Sequence, residues 1–353
     1  MSDGSLRQQI GRLLFVGIPG PTFDDHTRST LEALYVGGVV LFRRNVETPA
    51  QLAQLIAALH ALPSRPLVAI DHEGGRVMRL GEPFTQFPAA AAVGRRRDAE
   101  LAYRVGRAMA AELRSIGIDV NFAPVLDVNS NPANPVIGDR AFSSEADVVG
   151  ELGIAQMRGL LDGGVVPCGK HFPGHGDTVK DSHLELPVVD RPRVELERTE
   201  LVPFRAAIAA GVPMLMTAHV LYPSLDPEHP ATVSRRILTG LLREEMRFQG
   251  VVVSDDLQMR AISEGWDIGG VALATLEAGV DALLVCQDLS QAVAARAAIE
   301  RGVDSGTLAA RTVAAAAVRV GRLCTLRPPG SPAACELPNA AHHALVADIL
   351  RAD

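Results

Sequence analysis

Short apolar runs rich in β-branched residues recur along this chain at 13–18 (LLFVGI), 37–42 (GGVVLF), 66–71 (PLVAID), 119–128 (DVNFAPVLDV), 165–172 (VVPCGKHF), 213–220 (PMLMTAHV), 250–256 (GVVVSDD) and 281–288 (DALLVCQD). Runs this short, apolar throughout and bounded by Gly, Pro or Asp, predict strands covered on both faces. Between them the apolar positions repeat every three to four residues, predicting helices over 49–62, 98–116, 146–162, 194–210, 235–247 and 268–278. Several of these open on Ser, Thr or Asp, the residues that cap free N–H groups at a helix start. Strand alternating with helix predicts a parallel sheet, and eight strands favour closure into a single (β/α)8 TIM-type barrel over an open, doubly wound sheet.

The expected catalytic barrel spans residues 1–326, with its last helix near 303–324. Residues 327–353, a segment rich in Pro and small residues (RPPGSPAACELPN) followed by a short helix, form a tail packed on the barrel rather than a second domain. On such a barrel, functional side chains belong at the carboxyl ends of the strands. Polar residues fall there: Asp71, Asp127, Lys170 with His171, His219, Asp255 with Asp256, and Asp288, while the amino ends of the runs show no comparable cluster. The segment 170–187, KHFPGHGDTVKDSHLELP, has neither helical nor strand periodicity, and it concentrates Lys170, His171, His175, Asp177, Asp181 and His183. It reads as a strand end opening into a catalytic loop, and residues 174–190 are long enough for that loop to close over a ligand.

Composition narrows the possibilities. Of 353 residues, 47% are hydrophobic and 21% charged, enough for a large core and too apolar for global disorder. A net charge of −7 with dispersed basic residues leaves no stripe to track a phosphate backbone, so nucleic acid is not an expected partner. The N-terminus lacks a signal-peptide pattern and no stretch is long and apolar enough to span a membrane, so the expectation is a soluble, cytoplasmic protein. The four cysteines, Cys168, Cys286, Cys324 and Cys335, show no CxxC spacing and read as buried thiols in a reducing compartment. Trp266 and the pair Met214 and Met216 are expected in packing roles. No GxGxxG, GxxxxGKS or HExxH pattern appears.

Asp255 ends an apolar run, where exposure at a barrel mouth makes it a candidate nucleophile. The alternative for either member of the pair Asp255 and Asp256 is to cap the next helix, and the pair permits one of each role. Asp181 and His183, one residue apart, can form a dyad in which the carboxylate orients the imidazole and raises its pKa. Asp71, Arg79, Arg140, Lys170 and His171 can fork hydrogen bonds to a hydroxylated ligand. The competing role is an ion-pair network closing the barrel top, with Glu73 and Arg76 as its members. Gly74 and Gly75 point to positive φ or close backbone approach after the third strand. A metal site on His175 and His219 together with Asp71 or Asp127 is weakly signalled, and no cofactor or metal is expected.

Four blocks, IDHEGGRVMRL, NPVIGDRAF, GKHFPGHGDTVKDSHLELP and VVVSDDLQM, in that order, resemble glycoside hydrolase family 3, and within it the single-domain bacterial β-N-acetylhexosaminidases of peptidoglycan recycling. The likeness spans about 13–288. The Asp-x-His element in the third block marks the N-acetylglucosaminidase branch. The resemblance implies Asp255 as nucleophile, His183 as general acid/base and Asp181 as its partner. It places Asp71, Arg79, Arg140, Lys170 and His171 around the N-acetylglucosamine ring. The substrates it implies are N-acetylglucosamine-containing muropeptides, with no obligate protein partner and no membrane insertion. Larger family members carry a second, sandwich domain that supplies their acid/base; this chain is expected to use its own loop. Phosphorolysis on the same site stays open, because a neutral histidine does not repel an anionic acceptor. Two further alternatives are a metal-dependent amidohydrolase barrel using Asp71, His171 and His219, and a sugar-binding protein without catalysis.

Overall fold

The computed structural model describes residues 5–178, 186–326 and 334–351. Its strands are β1 (Leu14–Gly17), β2 (Gly38–Leu41), β3 (Leu67–Ile70), β4 (His72–Gly74), β5 (Val77–Met78), β6 (Val120–Asn121), β7 (Val166–Phe172), β8 (Met214–Thr217), β9 (Val251–Asp256) and β10 (Ala282–Val285). Eight of them close into a parallel barrel in the order β1, β10, β9, β8, β7, β6, β3, β2, while β4 and β5 form a separate antiparallel hairpin. Every residue of β1, β2, β3, β8 and β10 is buried, as continuous apolar runs require when the barrel interior covers one face and helices the other. Each large aliphatic side chain so buried contributes roughly 1.5–3 kcal/mol.

Three of the expected helices start at a capping side chain. Thr48 accepts the Gln51 N–H ahead of Pro49–His60, Asp98 caps Ala99–Ser115, and Asp267 caps Ile268–Ala278. Three boundaries differ from expectation. The fourth barrel strand is regular only to Asn121; past it, around Pro124, which has no N–H to donate, the contact with β7 goes on as one bridge from Val125 to Lys170 and backbone bonds from Cys168 to Ala123, Lys170 to Pro124 and Leu126 to Lys170. The helix expected over 194–210 divides into Arg193–Arg198 and Leu201–Ala209. Pro203 explains the break, being tolerated in the first turn of the second helix but clashing with the carbonyl four residues back in a continuous one. The last barrel helix, expected near 303–324, starts only at Ala310 and runs to Cys324, because a separate helix, Leu289–Asp304, ends just before Gly306 at φ +78°.

The amino ends of the barrel depart further from the sequence expectation, since two aspartates there anchor buried ion pairs. Asp119, preceding β6, accepts the Val68 N–H at 2.9 Å and faces His60 at 2.8 Å and Arg114 at 3.6 Å. Asp281, preceding β10, accepts the Val252 N–H at 2.9 Å, with Arg243 at 2.5 Å and Arg319 at 2.7 Å. Cys168 and Cys286 are buried as expected, but Cys324 is exposed and Cys335 partly so. Helix Ala340–Leu350 buries Leu345 and Ile349, and His342 meets Glu112 at 2.7 Å. Among the described residues, no helix is long and apolar enough to cross a membrane.

Candidate active site

The hairpin that follows β3 carries the first part of the site. Its turn is written for glycine: Gly74 has φ +103°, and a Cβ there would stand 2.4 Å from the Pro88 carbonyl oxygen; Gly75 has φ +57°. Asn121 ties the hairpin to β6, donating to the His72 carbonyl at 2.9 Å and accepting the His72 N–H at 3.0 Å. Asp71, at the carboxyl end of β3, is thereby held beside Lys170 of β7.

From there a chain of ion pairs runs across the mouth. Arg79 donates to Asp71 Oδ2 at 3.0 Å, and Lys170 Nζ lies 2.8 Å from Asp71 Oδ1 and 2.5 Å from Glu73 Oε1. Arg140 grips both Glu73 oxygens at 2.8 Å. Burial alone would raise both carboxyls, but Lys170 and Arg79 hold Asp71 well below the usual range, and Arg140 with Lys170 pulls Glu73 down to about 2. Burial opposes the charge on Lys170, yet Asp71 and Glu73 keep its pKa above the ordinary value. The charges are therefore kept, each with a partner, at a place where an unpaired charge would cost several kcal/mol. Four of the residues expected as a ligand clamp, Asp71, Arg79, Arg140 and Lys170, thus form one ion-pair network with Glu73, and Lys170 joins its two carboxylates. Arg76 stands apart on the rim, paired with Asp139 and bonded to the Val136 and Ile137 carbonyls.

Across the mouth, β9 presents Asp255 and Asp256, which divide their duties. Asp255 Oδ1 accepts the Asp256 N–H at 2.8 Å, and the residue is only partly buried. Asp256 is buried and structural: its oxygens accept from the Gln258 and Cys286 N–H groups and the Gln287 side chain, each at 3.2 Å. Burial raises its carboxyl to about 6, with those three donors pulling it back in part. Behind it, both nitrogens of His219 are engaged, one at 3.0 Å from the Asp256 carbonyl and the other at 2.7 Å from Thr232 Oγ1. Asp288 belongs elsewhere: it caps helix Leu289–Asp304, accepting the Ser290 N–H at 2.8 Å.

His171 enters the mouth from the end of β7, and Asp127 stands behind it, with Oδ2 at 2.7 Å from His171 Nδ1. Asp127 Oδ1 accepts the His171 N–H at 3.1 Å and the His175 N–H at 2.7 Å. His175 is buried beside Thr178, and burial together with neighbouring His171 lowers its pKa to about 4, so it is a neutral ring at physiological pH. Asp181 and His183, and with them the expected closure of their loop, lie outside the described residues.

One cavity of about 310 Å³ brings Asp71, Arg79, Arg140, Lys170, His171 and Asp255 together. Its lining also includes Glu73, Asp256, Met259, Gln287 and Met216, and Phe42 lies beneath Arg79 at 5.7 Å from its ring centroid. Met259 and Gln287 carry no sequence signal beyond following strand ends, whereas Glu73 is a charge inside the same block as Asp71. Met216 lines the cavity rather than only packing, and Trp266 is partly exposed. The metal-ligand set Asp71, His171 and His219 does not assemble, because Asp71 is spent on two cations, His219 on two hydrogen bonds and His171 Nδ1 on Asp127. A carboxylate facing a small cavity ringed by hydrogen-bonding charges suits nucleophilic attack on a bound polyhydroxylated ligand.

The sequence matches the glycosyl hydrolase family 3 N-terminal domain over residues 5–323. A β-hexosaminidase of Nitrosomonas eutropha is 44% identical over 282 residues, covering 78% of this chain and 80% of that protein. A glycoside hydrolase family 3 β-N-acetylglucosaminidase from Paenibacillus superposes with a TM-score of 0.95 at 41% identity, over 98% of this chain and 68% of that one. NagZ from Neisseria gonorrhoeae, solved in complex with N-trifluoroacetyl-D-glucosamine, superposes with a TM-score of 0.79 at 34% identity, over 96% of each chain.

Proposed function

Because the chain belongs to glycosyl hydrolase family 3, we propose that it is a retaining exo-β-N-acetylglucosaminidase in which Asp255 is the nucleophile and Asp181 with His183 forms the acid/base dyad. The β-hexosaminidase and β-N-acetylglucosaminidase relatives support the activity. The observation that carries it is the cavity: Asp255, with Oδ1 on a backbone N–H, shares about 310 Å³ with Asp71, Arg79, Arg140, Lys170 and His171. A space this small, at the lower end for ligand sites, suits one terminal sugar ring and hence exo action.

In the proposed reaction Asp255 Oδ2 attacks the anomeric carbon while His183, as imidazolium, gives its proton to the departing glycosidic oxygen. The bond to the aglycone breaks and a glycosyl ester forms on Asp255. Neutral His183 then takes a proton from water, whose oxygen attacks the same carbon and releases Asp255, so two inversions give net retention. Asp181 orients the imidazole and stabilises its charged form. Arg79, Arg140 and Lys170 supply donors to the sugar from positions already fixed by Asp71 and Glu73, so little ordering remains to be done on binding. The proposed substrates are N-acetylglucosaminyl-1,6-anhydro-N-acetylmuramyl fragments, with or without peptide, met in the bacterial cytoplasm during cell-wall recycling.

Incubation with a 5-fluoro N-acetylglucosaminyl trapping reagent, followed by peptide mass spectrometry, tests both sugar and nucleophile. The expected result is one adduct on Asp255; an adduct on another residue overturns the assignment. Product analysis in phosphate buffer separates the two acceptors, since N-acetylglucosamine 1-phosphate as the main product would make the protein a phosphorylase.

A further inference from the structure

We infer that Asp127 is a positioning residue that sets the tautomer of His171, so that the ring meets the bound sugar as a hydrogen-bond acceptor. This rests on the proposed binding of a sugar in the cavity and deepens it.

The inference starts from which acceptors the cavity has left. A sugar hydroxyl donates one hydrogen bond and accepts others, so a site that holds it needs acceptors as well as donors. Arg79, Arg140 and Lys170 are donors only. Asp71 and Glu73 are acceptors, but both oxygens of each already face a cation, through Arg79, Lys170 and Arg140. Asp255 is committed to the anomeric carbon. Among the other polar side chains of the lining, Asp256 already accepts three hydrogen bonds and His175 Nδ1 meets Thr178 Oγ1 at 2.9 Å, whereas His171 reaches the cavity with a character that depends on where its proton sits.

Asp127 decides that. It is fully buried and accepts three hydrogen bonds: the His171 and His175 N–H groups on Oδ1, and His171 Nδ1 at 2.7 Å on Oδ2. Burial would raise its carboxyl, but His171 and then His175 hold it down at about 2, so it is a carboxylate and can only accept. In the neutral ring Nδ1 therefore carries the proton, and Nε2 keeps a lone pair for a ligand in the cavity. The hydroxyl donates and Nε2 accepts. A purely structural role for Asp127, anchoring the backbone at His175, would require nothing of the ring's tautomer or of the ligand.

The test has two arms on the wild-type enzyme and one on Asp127→Asn. In ¹⁵N-histidine-labelled protein above pH 8, His171 is expected as the Nδ1–H tautomer; an Nε2–H ring overturns the inference. Replacing the hydroxyls of N-acetylglucosamine one at a time by fluorine, which accepts but cannot donate, is expected to weaken one analogue about tenfold or more, the scale of a lost buried hydrogen bond. Equal binding of the 3-, 4- and 6-fluoro analogues and the parent overturns it. In Asp127→Asn the amide donates to Nδ1 and drives the proton to Nε2. KM for a nitrophenyl N-acetylglucosaminide should then rise about tenfold with a smaller fall in kcat, and the fluorine penalty should vanish. Wild-type KM in that variant overturns the inference, and if the variant does not fold the two wild-type arms decide. Absence of both turnover and N-acetylglucosamine binding in the wild type would instead sink the proposed function, a result independent of the tautomer.

Discussion

The two ends of the barrel bury carboxylates in the same manner and put them to different uses. At the base, Asp119 and Asp281 each accept a strand N–H and face two basic groups, and neither lines the cavity that holds Asp255. At the mouth, Asp71, Glu73 and Asp127 are as well paired, but the groups they hold, Lys170, Arg79, Arg140 and His171, line a cavity that also contains Asp255. Burial and pairing are thus common to both ends and do not mark function by themselves. What distinguishes the mouth is that its ion pairs position donors against an open space opposite a lightly engaged carboxylate.

The largest effects expected come from crossing the two ends. Asp255→Ala should lower kcat on a nitrophenyl N-acetylglucosaminide by about 10⁴-fold or more, as loss of a nucleophile does. Its folding stability should stay within about 0.5 kcal/mol, because among the described residues Asp255 makes no ion pair. Asp281→Ala should do the reverse, costing about 3–5 kcal/mol by leaving Arg243 and Arg319 without their shared carboxylate, while the folded fraction turns over normally. Urea midpoints and kcat on both variants check this. A stable Asp281→Ala protein with impaired kcat would erase the distinction between the ends.

Asp256 sharpens the comparison, since it sits at the mouth yet behaves like the base. Its folded carboxyl is raised to about 6, above the ordinary carboxylate value, so between about pH 4 and 6 the folded chain holds a proton that the unfolded chain has released. The stability this contributes is fully present below the unfolded pKa and is lost as pH rises through the folded one. Asp256→Asn does not titrate. Its stability relative to wild type should improve between pH 4 and pH 8, by roughly 2 kcal/mol for a shift of this size. Urea unfolding at the two pH values measures it; a constant difference would mean that Asp256 is not raised.

Which of these features the sequence makes legible follows from how local their causes are. The barrel is legible because each strand is buried on both faces and so appears as an uninterrupted apolar run. The break before Pro203 and the early end of β6 at Asn121, ahead of Pro124, are local too, but an apolar periodicity running through both prolines masks them. Asp71, Lys170, His171 and Asp255 stand out as charges ending apolar runs, and the cavity gathers them together with Arg79 and Arg140. Asp127 looks in sequence like any strand-end aspartate, since what distinguishes it is a contact with a histidine 44 positions later. Asp119 and Asp281 pass unnoticed because an acid opening an apolar run resembles a turn residue until its cations, far away in sequence, are placed.

Asp288 gives the smallest expected effect and a control on reading mouth carboxylates as functional. It follows β10 at the same end as Asp255, but it is exposed and its Oδ1 takes the Ser290 N–H at 2.8 Å as an N-cap. Asp288→Ala should therefore cost about 1 kcal/mol of stability, and Asp288→Asn, which still caps, much less. Neither should move kcat or KM, because the carboxylate does not line the cavity. A kinetic defect in Asp288→Asn, with the cap intact, would show that the site extends past β10 toward the aglycone side and that a capping carboxylate at this mouth also serves binding.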